Sequence, residues 1–389
     1  MSSPTEGKSA IEPDNHARSA SFVNWPVLHR EMDRLRLDAL VAATPEGTFY
    51  LSGIHIELNR WFRDRLALVV VPRNKPPIFV ACNIEEPLVK AVAWIDDIRT
   101  YAHYVESVGA LAQVLQEQGL DRGRVGFEER FWSTAFHRRV SEALPHVTLV
   151  GAEEAIDRTR SLKMPAEVAL LREAARLSDD AAHAAWTRCR AGTSEHDLAV
   201  AMALEILERG AQRVAHLSLG SGTNTRLVRN RPGDTKLVSG DLVFSDFGVV
   251  HNGYWADLSR MGVVGEPSTR QREHYQLLRN VQRATIAHMK PGIRCGELYT
   301  FARDAYLQAG VDDVLPDIGR SMPRARSPEP PVLQALDKTP LEANMVFAVG
   351  PSFIAGSDRY SIKDLVQVTD ADPVIHSDGW DTRELFVFK

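Results

Sequence analysis

The sequence predicts a two-domain protein in which an α/β domain precedes an α+β domain. Three observations carry this. The chain has 389 residues, more than one small core usually holds. Its first part alternates short branched apolar runs with a stretch of helical spacing. Near residue 158 that alternation gives way to long helices, a run of strands, another helix pair and closing strands.

Residues 1–25 begin MSSPTEGKSAIEPDNHARSASF, hold no apolar signal core, and read as a disordered polar tail. The α/β domain is expected over residues 26–157. Within it LDALVAAT, RLALVVVP and PPIFVA are compact branched runs, hence strands. ESVGALAQVLQEQ has the spacing of a helix, and RVGFEE and VTLVG are further strands. The α+β domain is expected over residues 158–389. Pro165 and Gly192 bracket a long amphipathic helix. SEHDLAVAMALEILERG then opens on a Ser-x-x-Asp cap and closes on Gly210. RVAHLSLGSG, LVFSDFGVVHNG and YWADLSRMGVV are strands, a helix pair spans about residues 267–309, and MVFAVG and DLVQVTD are the last strands. No repeat of solenoid length interrupts the order.

Composition narrows the function. The chain is 44% hydrophobic and 25% charged, with a formal net charge of −5. That balance excludes a strongly basic nucleic-acid binder. No apolar run approaches the roughly 18–20 residues needed to cross a membrane. Cys82, Cys189 and Cys295 are odd in number and far apart. They frame neither a disulfide scaffold nor a metal motif, which points to a reducing cytoplasm.

The chemistry concentrates in DFGVVHNGYWADLSR, residues 246–260. Asn-Gly between alternating apolar runs signals a two-residue hairpin. With Asn252 and Gly253 at the turn, His251 faces Tyr254 and Gly248 faces Asp257. Asp246 then lies diagonal to Asp257 on one face of the sheet, with Cβ atoms about 7 Å apart. Two buried carboxylates so close need a cation between them. Surface aspartates on a loose hairpin are the plain alternative, and the apolar neighbours argue against it.

This stretch resembles the metal-site hairpin of the creatinase, aminopeptidase P and methionine aminopeptidase family. RSLKMPAEVALLREAARLSD is similar to the helix that opens the family's catalytic domain, and LEANMVFAVGPSF and SIKDLVQV to its late strands. The resemblance covers nearly the whole chain. It implies a creatinase-like α/β N-terminal domain followed by an α+β pita-bread domain of catalytic type. Metal-dependent members hold two divalent ions with two aspartates, one histidine and two glutamates. By the resemblance Asp246 and Asp257 match the aspartates, whereas the histidine falls on Arg320 and the glutamates on Gly350 and Lys363. A second family histidine falls on Ser327, and an upstream active-site histidine on Arg229. Guanidinium and ammonium groups have no lone pair for a metal, so neither a metal nor another cofactor is expected. Arg320 and Lys363 are expected to occupy the metal volume and pair with Asp246 and Asp257.

Creatinase, by the same resemblance, implies C–N cleavage without metal through a histidine and carboxylates. Here the position of its catalytic histidine is Arg229, so another acid–base group is required. His216 shares a strand face with Ser218 and suits proton transfer; a core histidine satisfied by backbone is the alternative. Glu329, in SPEPP, is a pocket-edge carboxylate or a solvated loop residue. Asp246 or Asp257 could shuttle protons, although a cationic partner lowers a carboxylate's pKa. Arg229, Arg226, Arg231, Arg324 and Arg326 form a basic mouth suited to a small carboxylate-bearing substrate, such as an amino-acid derivative. Arg320 and Lys363 join them as substrate-binding candidates, and so does Tyr254, where an aromatic ordinarily packs. ELNRWFRDRLALV resembles the segment by which a dimer partner completes the pocket. Phe62 matches the family aromatic, Asp64 stands at the arginine position, and Arg63 and Arg65 flank it, which implies a homodimer.

Three readings follow: a cofactor-independent cytoplasmic hydrolase of a C–N bond, a non-catalytic relative that binds a ligand or partner in the cleft, and a lyase or cyclase. The substitutions oppose a fourth, a metal-dependent peptidase.

Overall fold

The computed structural model describes residues 20–56, 58–62, 65–102, 107–227, 229–322 and 330–389. Residues 1–19 of the expected tail lie outside them. Residues 20–25 correct that expectation: Ala20–Phe22 form a 3-10 turn, and a helix begins at Trp25. The Asn24 side chain accepts from the backbone N–H of Val27, and Pro26 sits in the first turn, so this polar stretch is a helix start. The chain divides into two compact units between Arg160 and Ser161.

The first unit is built on six strands: β1 (Ala39–Ala42), β2 (Leu68–Pro72), β3 (Ile78–Cys82), β4 (Asp97–Tyr101), β5 (Arg124–Phe127) and β6 (Thr148–Gly151). Their order is β4-β3-β2-β1-β5-β6. Every residue of β1, β2 and β3 is buried, as expected of continuous apolar runs covered on both faces. Alternate residues confirm the two layers. Val41 and Val70 pack with Leu111, Leu115 and Phe136 of the helices Ser107–Glu117 and Thr134–Ala143. Leu40 and Val69 pack with Leu28, Met32 and Val89 on the other side.

The second unit opens with the helices Pro165–Arg188 and Glu195–Glu208. Ser194 caps the second, accepting from the Asp197 N–H at 3.0 Å and donating to its carboxylate at 2.6 Å. One sheet follows from β7 (Arg213–Ser221), β8 (Leu242–His251) and β9 (Tyr254–Val264), to which the last strand of the chain adds. Asn252 and Gly253 take φ of 48° and 76°, the left-handed pair that a two-residue hairpin turn requires. The register is the one the turn dictates, with His251 opposite Tyr254, Gly248 opposite Asp257, and Asp246 opposite Ser259.

Beyond the helices Thr269–Ala287 and Cys295–Gln308, a second sheet is formed by β10 (Asp317–Ser321), β11 (Val332–Gln334), β12 (Val346–Val349), β15 (Asp364–Gln367) and β16 (Val374–Ile375). A ribbon of β13 (Ser352–Ala355) and β14 (Asp358–Ser361) precedes β15, and β17 (Phe386–Phe388) is the strand that joins β9. Ser259 of β9 pairs with Lys363 across the gap between the sheets, through reciprocal backbone bonds of 3.3 and 3.2 Å. That bridge positions the site. No helix among the described residues is long and apolar enough to cross a membrane.

Candidate functional site

Asp246 and Asp257 share one face of the hairpin, and Lys363 approaches them from the strand edge beyond it. The Lys363 ammonium donates to Oδ1 of Asp246 and to Oδ1 of Asp257, each at 2.8 Å. Asp257 is wholly buried, and the other two side chains are mostly so. Burial pushes the Asp246 carboxyl up, but Lys363 and His216 outweigh it and hold the group well below the usual carboxylate range. Burial pulls the Lys363 ammonium down, and the two carboxylates outweigh that in turn, holding it above the usual lysine value. The trio is a fixed ion cluster with the proton on lysine.

His216 stands across from Gly248 on β7. Its Nε2 lies 3.4 Å from Asp246 Oδ1 and 3.6 Å from Asp257 Oδ1. The ring leans against Trp255, with centroids 5.7 Å apart, and its Nδ1 meets no acceptor among the described residues. The alternative of a core histidine satisfied by backbone therefore does not describe it. Gly248 makes room for this tilted contact. A Cβ there would collide with Trp255 Nε1 and lie 2.5 Å from His216 Nδ1.

His216, Asp246 and Asp257 bring ligand atoms within 4.8 Å of one another, spacing that could hold an ion. The residues nevertheless do not fit the two-ion centre implied by the resemblance. The ammonium of Lys363 stands 2.8 Å from both carboxylates and has no lone pair to offer. Position 350 is closed as well. A Cβ on Gly350 would lie 3.0 Å from Lys363 Cβ and 3.1 Å from its Cγ. The Ile362 carbonyl oxygen, at 2.9 Å, and the stem of the lysine thus crowd a side chain at 350, a coupling that no linear pattern could reveal.

His216, Asp246 and Lys363 of the cluster line a cleft of about 730 Å³, together with Arg229, Arg320 and Arg359. Arg320 corrects one expectation: its guanidinium pairs with Asp317, three residues earlier, at 3.2 Å. An irregular register between Asp317 and Arg320 on β10 brings the two together. Arg229 and Arg231 line the cleft with exposed side chains, whereas Arg226 does not line it. Tyr254 is corrected too. It is buried, and its hydroxyl donates to Glu167 Oε1 at 3.3 Å, toward the helix Pro165–Arg188 and not the cleft. Arg65 pairs with Glu85 inside the first unit at 3.4 Å, with a side chain only 15% exposed, so it does not project outward as expected. Phe62 is half exposed on that unit. Glu329, Ser327, Arg324, Arg326, Arg63 and Asp64 lie outside the described residues.

Sequence reasoning missed Arg359. Strand alternation could have found it, because Arg359, Ser361 and Lys363 are spaced by two and all three line the cleft.

Two family models match the chain. One described as metallopeptidase family M24 covers residues 169–370, and one described as creatinase/prolidase N-terminal domain covers residues 27–162. An Xaa-Pro dipeptidase of Lactobacillus helveticus is 28% identical over 309 residues, spanning 78% of this chain and 83% of the relative. Among solved structures, an Xaa-Pro dipeptidase from Bacillus anthracis superposes with a TM-score of 0.82 at 21% identity, covering 93% of this chain and 98% of its own. An X-Pro aminopeptidase from Thermotoga maritima does so with a TM-score of 0.81 at 20% identity, covering 92% and 99%.

Proposed function

Because the chain belongs to metallopeptidase family M24, with a creatinase/prolidase N-terminal domain ahead of a pita-bread domain, we propose that it is a metal-independent member which hydrolyses a C–N bond in a small carboxylate-bearing amino-acid derivative. One observation carries the reading: Lys363 bridges the two aspartates that would otherwise ligate metal. With Asp246 held low and Lys363 held high, neither exchanges a proton near neutral pH. That work falls to His216, since an imidazole can take a proton from water and return it to a leaving nitrogen. The cations around it favour negative charge developing on the attacked carbon's oxygen. Homodimerisation in the cytoplasm belongs to the same reading; the exposure of Trp61 (76%) and Phe62 (51%) on the first unit supports the dimer.

The test is turnover of N-acyl amino acids and Xaa-Pro dipeptides by chelator-treated protein of measured metal content. The expected result is activity that survives chelation and falls roughly 100-fold or more in His216→Asn. Activity that appears only with added manganese, cobalt or zinc overturns the proposal. Solvent oxygen in the product separates hydrolysis from elimination or ring closure. A non-catalytic binding role is the second reading, favoured by the same locked protonation of Asp246 and Lys363; ligand binding without turnover would establish it.

A further inference from the structure

The cleft holds several cations, but their partners differ. Lys363 is matched by Asp246 and Asp257, and Arg320 by Asp317. Arg229 and Arg231 are exposed, where water satisfies them. Arg359 is only partly exposed and has no acid partner among the described residues. Its backbone N–H is fixed by Thr225 Oγ1 at 3.2 Å, and its guanidinium carbon lies 4.9 Å above the centroid of the buried Phe244 ring. The Nε is buried without an acceptor, and no ion pair joins the group to any carboxylate among the described residues. Burial pulls the guanidinium below its ordinary value, while Asp246 and Asp317 pull it back from a distance. A cation partly withdrawn from water with no acid beside it favours a ligand that brings the anion.

Resting on the reading of the cleft as a site for a carboxylate-bearing molecule, we propose that Arg359 is the residue that grips the ligand's carboxylate. Phe244 supports the guanidinium through a cation–π contact. With Nε buried, the two Nη groups remain to donate parallel hydrogen bonds to a carboxylate. Ser361 and Lys363, further along the same lining row, leave the rest of the molecule near Asp246 and His216. Selectivity for an acid over its amide would then come from one side chain on the β13–β14 ribbon.

The test is calorimetric titration of the full chain with acetate, N-acetylglycine, N-acetylglycinamide and inorganic phosphate, together with melting of the unliganded protein. Wild type is expected to bind N-acetylglycine and not the amide. Arg359→Met should lose at least tenfold in affinity, and Arg359→Lys should recover part of it. The unliganded melting temperature of Arg359→Met should equal or exceed that of wild type, because a cation without a partner has been removed. Unchanged affinity with a lower melting temperature would make Arg359 a structural group over Phe244 and overturn the proposal. So would a wild type that binds neither carboxylate, or that prefers phosphate. Should Arg359→Met lose binding while wild type turns nothing over, the carboxylate anchor stands and the hydrolase reading falls.

Discussion

Lys363 and Asp257 meet at 2.8 Å, although 106 residues separate them and one lies outside the sheet of the other. The contact depends on the backbone pairing of Lys363 with Ser259, two residues along β9 from Asp257. Arg260 secures that pairing from behind. Its guanidinium is 1% exposed, donates to the carbonyl oxygens of Ser259 and Lys363, and pairs with Asp179 and Asp364. The lysine is thus held by its main chain before its ammonium is held by acids.

Replacing Lys363 with methionine keeps the stem and deletes the charge. Asp246 and Asp257 would then face each other without the ammonium between them, leaving His216 as the cationic neighbour in contact with both among the described residues. Removing one partner from a buried ion pair typically costs about 3–5 kcal/mol. Lys363→Met is expected to lose that order of stability in urea unfolding. A variant that unfolds at the wild-type midpoint would show that the cluster is not stabilising.

The pH dependence follows from the same two groups. Asp246 is depressed in the folded protein, so its contribution is present above the ordinary carboxylate value near ~4 and is lost as pH falls through the depressed value. Lys363 is raised, so its contribution is full below the ordinary lysine value near ~10.4 and is lost as pH rises through the raised value. The pair should therefore give a plateau from roughly pH 5 to pH 10. Unfolding free energies of wild type and Asp246→Asn across that range check it. A difference between them that changes between roughly pH 8 and pH 10, above the ordinary histidine range, would place a proton elsewhere in the cluster.

Local chemistry made much of this readable in the sequence. The Asn252-Gly253 turn set the facing of Gly248 and Asp257, the Ser194 cap started a helix, and branched runs marked the buried strands, because each signal acts within a few residues. What failed was partner choice. Arg320 could be counted as a charge for Asp246 and Asp257, but the local irregularity of β10 sends it to Asp317. Arg65 was legible as a cation beside Phe62, yet its carboxylate, Glu85, lies across its own domain. The Gly350–Lys363 coupling joins residues that meet only where the chain folds back on itself. Charge matching says how many partners a cluster needs; the packing of distant strands says which ones arrive.

Gly248 tests the contact of His216 with Trp255. Its backbone lies so close to His216 and Trp255 that an added Cβ must displace both. Gly248→Ala is expected to lose roughly 1–3 kcal/mol, the usual cost of overpacking. It should also move the His216 ring away from Asp246. An unchanged His216 imidazole resonance in the NMR spectrum, with unchanged stability, would mean that the site is looser than its geometry.

The charge exchange can be run backwards. Lys363→Glu returns a carboxylate to the family position and places it beside Asp246, Asp257 and His216. Without metal, three carboxylates should repel and lower the melting temperature. Manganese or zinc should then restore it, since an ion that binds only the folded state adds about 2.7 kcal/mol at a hundred times its dissociation constant. Gly350 stays bare, so one ion is expected, not two. Wild type under the same titration should not shift, because the ammonium already stands 2.8 Å from both acids. If wild type gains as much as the variant, the lysine yields its place to metal, and the proposal of metal-independent chemistry in this cleft fails with it.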